Sequence, residues 1–247
     1  MPNAKFQIML NPMNRRVYII LAFGLLGVSF GAPLARFVPE LAALTIAFWR
    51  MAGASTLLWS HGAVSGQGAL GKNKFPPIII AGIFLALHFA CFYSAVKMTP
   101  IANATLFATL APIFTLGYER FFLKRKMPAA ALIGLLLAIA GAVVIQGSSL
   151  QFGAAETRGN LMALASSGFM SVVLIIGERI RGDTGNILYT RWLYLFAAIT
   201  LAIIGVLSAT DLTFKCVDSI WILALIILPT LIGHNSMSYA VKYLRPT

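Results

Sequence analysis

Residues 76–97 read PPIIIAGIFLALHFACFYSAVK, an apolar run with no charge before Lys97 and one histidine, His88, near its centre. A helix needs about 20 such residues to cross a hydrocarbon layer roughly 30 Å thick, where a backbone must close its own hydrogen bonds. The run therefore predicts a membrane-spanning helix. Similar runs surround it, and eight spans are expected, at approximately 17–37, 41–60, 76–97, 100–123, 128–147, 159–178, 185–207 and 219–243.

The 247-residue chain is 59% hydrophobic and 11% charged, with a mean hydropathy of +0.86, whereas soluble domains carry about 25% charged residues. A soluble enzyme and a single anchor on a soluble body are both excluded. The period-two alternation of a membrane barrel is absent, and links such as Met98-Thr99-Pro100 leave room only for tight hairpins. The start resembles a secretory signal, with Lys5, Arg15 and Arg16 before an apolar run, but the run is longer than a cleavable core and leads straight to more membrane. It is expected to be retained, with Met13 as an alternative native start and residues 1–16 as a cytoplasmic extension. Cys91 and Cys216 form no CxxC pair and no disulfide framework.

The formal charge of +12 would suggest nucleic acid in a soluble protein, but here the charges sit in short gaps between spans. With the N-terminus inside, Lys5, Arg15, Arg16, Lys72, Lys74, Arg120, Lys124, Arg125, Lys126, Arg179, Arg181, Lys242 and Arg245 fall on one side, thirteen in all; Arg36, Lys97, Arg158 and Lys215 fall on the other. Positive loops stay cytoplasmic, so a multi-pass protein of the cytoplasmic (inner) membrane with an internal N-terminus is expected. Arg50 and Arg191 remain, both inside spans.

An internal repeat is offset by about 141 to 146 residues: Arg50 with Arg191, His88 with His234, and Ala95-Val96-Lys97 with Ala240-Val241-Lys242. Units of five helices, an odd number, must enter the membrane from opposite sides. The expected fold is an all-α integral membrane protein of inverted five-helix repeats, with eight transmembrane helices present of an expected ten. The first repeat is placed at 17–150 and an incomplete second, with three helices, at 159–247. Two further helices, on the order of 45 to 50 residues by comparison with the first copy, are read as missing from a truncated or partial chain.

Three stretches resemble the EamA family of the drug/metabolite transporter superfamily: Phe48-Trp49-Arg50-Met51-Ala52-Gly53-Ala54, Tyr93 to Phe114 (YSAVKMTPIANATLFATLAPIF), and Gly134 to Val144 (GLLLAIAGAVV). The resemblance covers about residues 17–247. It implies two inverted five-helix units around a central cavity, moving small metabolites by alternating access. One departure stands out: where the family commonly has Gly-Glu-Arg at the cytoplasmic end of the fourth helix, this chain has Lys124-Arg125-Lys126, with Glu119 further back.

Arg50 lies ten residues after Glu40, about 15 Å along a helix, where an unpaired arginine costs at least about 2.5 to 3.5 kcal/mol. It is expected to face a cavity, either as a substrate contact or as a structural arginine bonding helix-end carbonyls. Arg191 is shallower and better able to snorkel. His88 and His234 sit at matching depths in the two copies, and no Asp or Glu falls clearly inside a span, so histidine is the remaining titratable group if transport is proton-coupled. Thr99 is a candidate cap, with Pro100 at the first helical position and Asn103 and Thr105 in the first turns of the fourth segment; such a helix start can hold an anion, or these side chains can bond neighbouring helices. Pro33, Pro112 and Pro229 are expected to bend their helices. Trp49, Tyr93, Tyr189, Trp192 and Tyr239 are aromatic candidates for the cavity wall, or for packing.

The candidate substrate-binding set is therefore Arg50, His88, Asn103, Thr105, Arg191, His234, Trp49 and Tyr93. The expected function is a secondary transporter, permease or exporter, for a small organic metabolite, anionic in the favoured case. The expected partners are that substrate and the lipid bilayer, with a homodimer left open, no nucleic acid, no metal and no cofactor. The alternatives are a non-transporting fragment or membrane partner protein, and a remote intramembrane enzyme, which lacks paired aspartates within spans and HExxH; the ATP-binding motif GxxxxGK[ST] does not occur.

Overall fold

The computed structural model describes residues 12–124, 129–147 and 153–244. The expectations resting on Lys5, Arg125, Lys126 and Arg245 lie outside the described residues. Every regular element among the described residues is helical: α1 (Pro12–Ser29), α2 (Gly31–Arg36), α3 (Ala43–Val64), α4 (Phe75–Met98), α5 (Ile101–Ala108), α6 (Ala111–Phe121), α7 (Ala129–Gln146), α8 (Ala154–Arg181), α9 (Asn186–Leu207), α10 (Ser219–Leu225), a π-helical segment (Ile226–His234) and α11 (Asn235–Ala240). Among the described residues six stretches are long and apolar enough to cross a membrane: Arg15–Arg36, Lys72–Met98, Ile101–Phe121, Glu156–Arg181, Asn186–Leu207 and Cys216–Ala240. α3 is also 22 residues long but carries Arg50 and His61, and the apolar stretch of α7, Leu132–Val144, is shorter.

The first, fourth and eighth expected spans are not continuous α-helices, and one physical cause accounts for all three breaks. Proline has no N–H to give the carbonyl four residues back. Pro33, Pro112 and Pro229 would each leave the carbonyls of Ser29, Ala108 and Leu225 unpaired, and α1, α5 and α10 end at those residues. After Leu225 the chain widens into nine residues of π-helix, and the Thr230 hydroxyl donates to the Leu225 carbonyl at 2.9 Å.

Lipid supplies no hydrophobic drive between helices, so association depends on close packing and interhelical hydrogen bonds. α4 is central, packed against α8, α9 and α3. Ile78, Ala81, Leu85 and Phe89 form its buried stripe, while Ile79, Ile80 and Ile83 face outward. On α3 the matching stripe is Ile46, Ala47, Met51, Ala54 and Leu58. Outward-facing Phe23, Leu26 and Leu137, each more than 60% exposed, would be liabilities in water and are the expected surface in lipid. The π segment lies on α1 at a glycine-to-glycine contact: a Cβ on Gly27 would stand 2.7 Å from the Leu228 carbonyl oxygen, and one on Gly233 would stand 2.8 Å from Val28.

α3 and α9 match closely. Both have 22 residues, and their N-cap residues Ala42 and Gly185 have φ,ψ of −61°,150° and −60°,148°. Their C-caps Ser65 and Ser208 are at −87°,6° and −92°,5°. Gly66 and Ala209 follow with φ of 63° and 50°, and each loop ends in a 3₁₀ turn, Lys72–Lys74 or Cys216–Asp218. Each loop also folds back over the other helix: Thr45 Oγ1 donates to Asp211 O at 2.7 Å, and Arg191 Nη2 donates to Gly68 O at 2.9 Å.

Candidate functional site

A cavity of about 730 Å³ lies between α1, α3, α4, α5, α6, α8 and the π segment with α11. Its wall is mostly apolar, including Leu25, Val28, Phe92, Met170 and Leu174, and among the described residues no acidic side chain lines it. Four of the eight sequence candidates meet there: Arg50, His88, Thr105 and His234.

Arg50 is 1% exposed and is held from three directions. Its Nε donates to Thr230 Oγ1 at 2.7 Å, its Nη1 donates to the Tyr93 hydroxyl, and its guanidinium lies 4.4 Å from the centroid of the Phe89 ring. Nη2 has no hydrogen-bond partner among the described residues. A buried charge on a residue that lines a cavity, with N–H groups still unused, favours an anionic acceptor brought from outside. Tyr93 thus acts at one remove, as an anchor for the arginine.

His88 Nδ1 lies 2.9 Å from both the carbonyl oxygen and Oγ of Ser166 on α8. A carbonyl can only accept, so Nδ1 carries the proton in the neutral ring and Nε2 keeps its lone pair. The His234 ring centroid stands 6.1 Å from that of His88 and 5.1 Å from that of Phe89. The Thr105 hydroxyl bonds its own helix, to Ile101 O at 2.7 Å, while lining the cavity.

The other candidates are engaged elsewhere. Asn103 is fully buried and donates to Asn160 Oδ1 at 2.9 Å. The Thr99 hydroxyl also goes to Asn160, at 3.1 Å, and makes no cap; the N-cap is Pro100 and the first helical residue Ile101. Trp49 Nε1 donates to Leu212 O at 2.6 Å. Arg191 lies 4.3 Å over the Trp59 ring and bonds Gly68 O. Thr230, Ser166 and Asn160 were not singled out by sequence. Thr230 alone had a local signal, since it directly follows a proline inside an apolar run.

The fold and this site define a class: a multi-pass helical membrane protein with an internal cationic cavity. Residues 15–147 match the EamA-like transporter family, and the chain belongs to it. The chain is 30% identical over 105 residues to the pseudopaline exporter CntI of Pseudomonas aeruginosa, covering 42% of this chain and 37% of that protein. It is 25% identical over 147 residues to solute carrier family 35 member G1 of Mus musculus, covering 56% of this chain and 39% of that one. The chain thus spans less than half the length of these curated relatives. A crystal structure at 19% identity superposes with a TM-score of 0.69, covering 91% of this chain and 79% of the other, a likeness of fold. The family to which the chain belongs is one of transporters.

Proposed function

We propose that the chain is a secondary transporter that moves a small organic metabolite with an anionic group across the cytoplasmic membrane by alternating access. The observation that carries this reading is Arg50, a buried guanidinium among the residues that line a 730 Å³ cavity, with its Nη2 unpaired among the described residues. A volume within roughly 300–1,000 Å³ suits a small-molecule ligand. With no acidic side chain among the described residues of the wall, a carboxylate or similar group on the substrate would supply the counter-charge and accept from the guanidinium. The apolar remainder of the wall favours a substrate body with carbon surface to bury.

The matched caps, lengths and back-folded loops of α3 and α9 support a repeat of inverted units, which is the geometry alternating access uses. The charge asymmetry of the loops supports a cytoplasmic N-terminus, and export is the favoured direction because the Pseudomonas relative is an exporter. Thermal stabilisation of the purified chain by amino acids, nucleosides and organic acids, with Arg50→Gln alongside, tests the site. Carboxylates should raise the melting temperature of the wild type and lose that effect in the variant. Equal shifts in both proteins, or none in the wild type, would overturn the assignment.

A further inference from the structure

Among the described residues three hydroxyl side chains line the main cavity, and each commits its one proton to backbone of its own helix or turn. Ser29 Oγ donates to Leu25 O at 2.8 Å, Thr105 Oγ1 to Ile101 O at 2.7 Å and Thr109 Oγ1 to Leu106 O at 2.8 Å. What they offer a ligand is lone pairs. The His88 ring is committed in the same way: its Nδ1–H goes to Ser166 O at 2.9 Å, so Nε2 is an acceptor in the neutral imidazole. Nε2 has no partner of its own among the described residues and yet is not one of their sealed, unpaired atoms, as Arg50 Nη2 is. It faces open space, and the cavity is the space that His88 lines. The lining side chains that can still donate are Arg50 and His234.

The cation and the acceptors share one neighbour. The Arg50 guanidinium carbon lies 4.4 Å from the centroid of the Phe89 ring, and the ring centroids of His88 and His234 lie 4.7 Å and 5.1 Å from it. A ligand only a few bonds long therefore reaches from the guanidinium to His88. An acceptor left unmet in a desolvated site costs free energy, and a site built around a hydrogen bond discriminates against a ligand that lacks the matching group. We propose that the substrate carries, within a few bonds of its anionic group, an N–H or O–H donor, and that His88 Nε2 is the group that selects it. The Ser166 carbonyl is the positioning element: Ser166 is fully buried, and its carbonyl fixes the tautomer from behind the wall. A hydroxy- or amino-substituted carboxylate matches such a wall, whereas a plain alkyl carboxylate leaves His88 unmet. The anionic half of this ligand rests on the transport reading above; the donor half rests on the acceptors of the wall.

Nitrogen NMR of the full chain in lipid nanodiscs, labelled on histidine, reads the tautomer without any ligand, with His88→Asn alongside to assign the signals. His88 should carry its proton on Nδ1, the reverse of the form that prevails for the free side chain in water; a proton on Nε2 would overturn the proposal. Affinities for hexanoate, 2-hydroxyhexanoate and 2-methoxyhexanoate then test the ligand. The wild type should bind the hydroxy acid about tenfold more tightly than the methoxy acid. His88→Asn, whose amide keeps a donor for Ser166 O but puts nothing at the place of Nε2, should bind the two alike, and a ratio kept in that variant would remove His88 from the selection. Equal binding of the two acids by the wild type, with both weakened in Arg50→Gln, would overturn the donor requirement and leave the anion site standing. Binding of none of the three, or binding indifferent to Arg50→Gln, would remove the anion site and this proposal with it. If His88→Asn does not fold, the wild-type ratio of the two acids decides.

Discussion

Arg50 and Arg191 stand out of register in two helices of equal length: Arg50 is seven residues beyond the first residue of α3, and Arg191 is five beyond that of α9. Two residues of an α-helix turn the side-chain direction by about 200°. Arg50 consequently enters the central cavity, whereas Arg191 lies against Trp59 and the loop after α3. In the helix frame the residue matching Arg50 is Leu193, which is apolar and buried.

The two arginines should therefore fail differently. Arg191→Leu removes a stacked cation and a hydrogen bond to Gly68 O, and is expected to lower stability by about 1–3 kcal/mol while leaving carboxylate-induced stabilisation in place. Arg50→Leu should abolish that stabilisation. Unfolding curves with and without ligand separate the two, and ligand loss in Arg191→Leu would contradict the placement of Arg191.

Much of this was legible in the sequence because lipid imposes strong rules: uninterrupted apolar runs report helices, and the cost of a charge at mid-membrane singles out Arg50. Pairing by residue identity set Arg50 against Arg191, whereas α3 and α9 align by their ends at an offset two residues larger. His88 and His234 did come together, and the π segment lies directly before His234 in the chain. No residue pattern announces a π turn, nor that Asn103 would spend its amide on Asn160. Such partners lie 57 residues apart and are fixed only once helices pack.

Ala209 occupies the left-handed region, φ 50°, where the equivalent turn after α3 has Gly66. A Cβ in that conformation costs roughly 1–2 kcal/mol, partly offset by the greater freedom glycine gives the unfolded chain. Ala209→Gly should stabilise the chain by about 0.5–1 kcal/mol. An unchanged or lower unfolding midpoint would count against strain at this turn.

At the end of the bundle where α4 begins, Lys74 Nζ lies 2.8 Å from Asp183 Oδ1, in the loop between α8 and α9. The hydrogen bond from Lys74 holds the Asp183 carboxyl below its ordinary range. A carboxylate with a lowered folded-state pKa contributes stability above its unfolded value, near about 3.9, and loses it as the pH falls through the folded value. Asp183→Asn should flatten the acid limb of a melting-temperature profile and change little at neutral pH, since the carboxylate is largely exposed and screened. An identical acid limb in the two proteins would show that the pair does not contribute.

Thr230 accepts from Arg50 Nε and donates to the Leu225 carbonyl that Pro229 cannot serve, so one hydroxyl joins the helix break to the charged site. Thr230→Val keeps the shape and removes both bonds, a loss of about 1.5–3 kcal/mol for a charge-assisted contact. With Nε released, Tyr93 and the Phe89 face are what direct the guanidinium among the described residues, and its orientation beside the cavity is less well fixed. A misorientation worth about 1.4 kcal/mol weakens carboxylate binding about tenfold. Thr230→Ser retains the hydroxyl and should bind like the wild type. Calorimetric affinities for a carboxylate ligand across the three proteins provide the check: wild-type affinity in Thr230→Val would mean that Arg50 is oriented without this residue, and that the break at Pro229 has no bearing on the site.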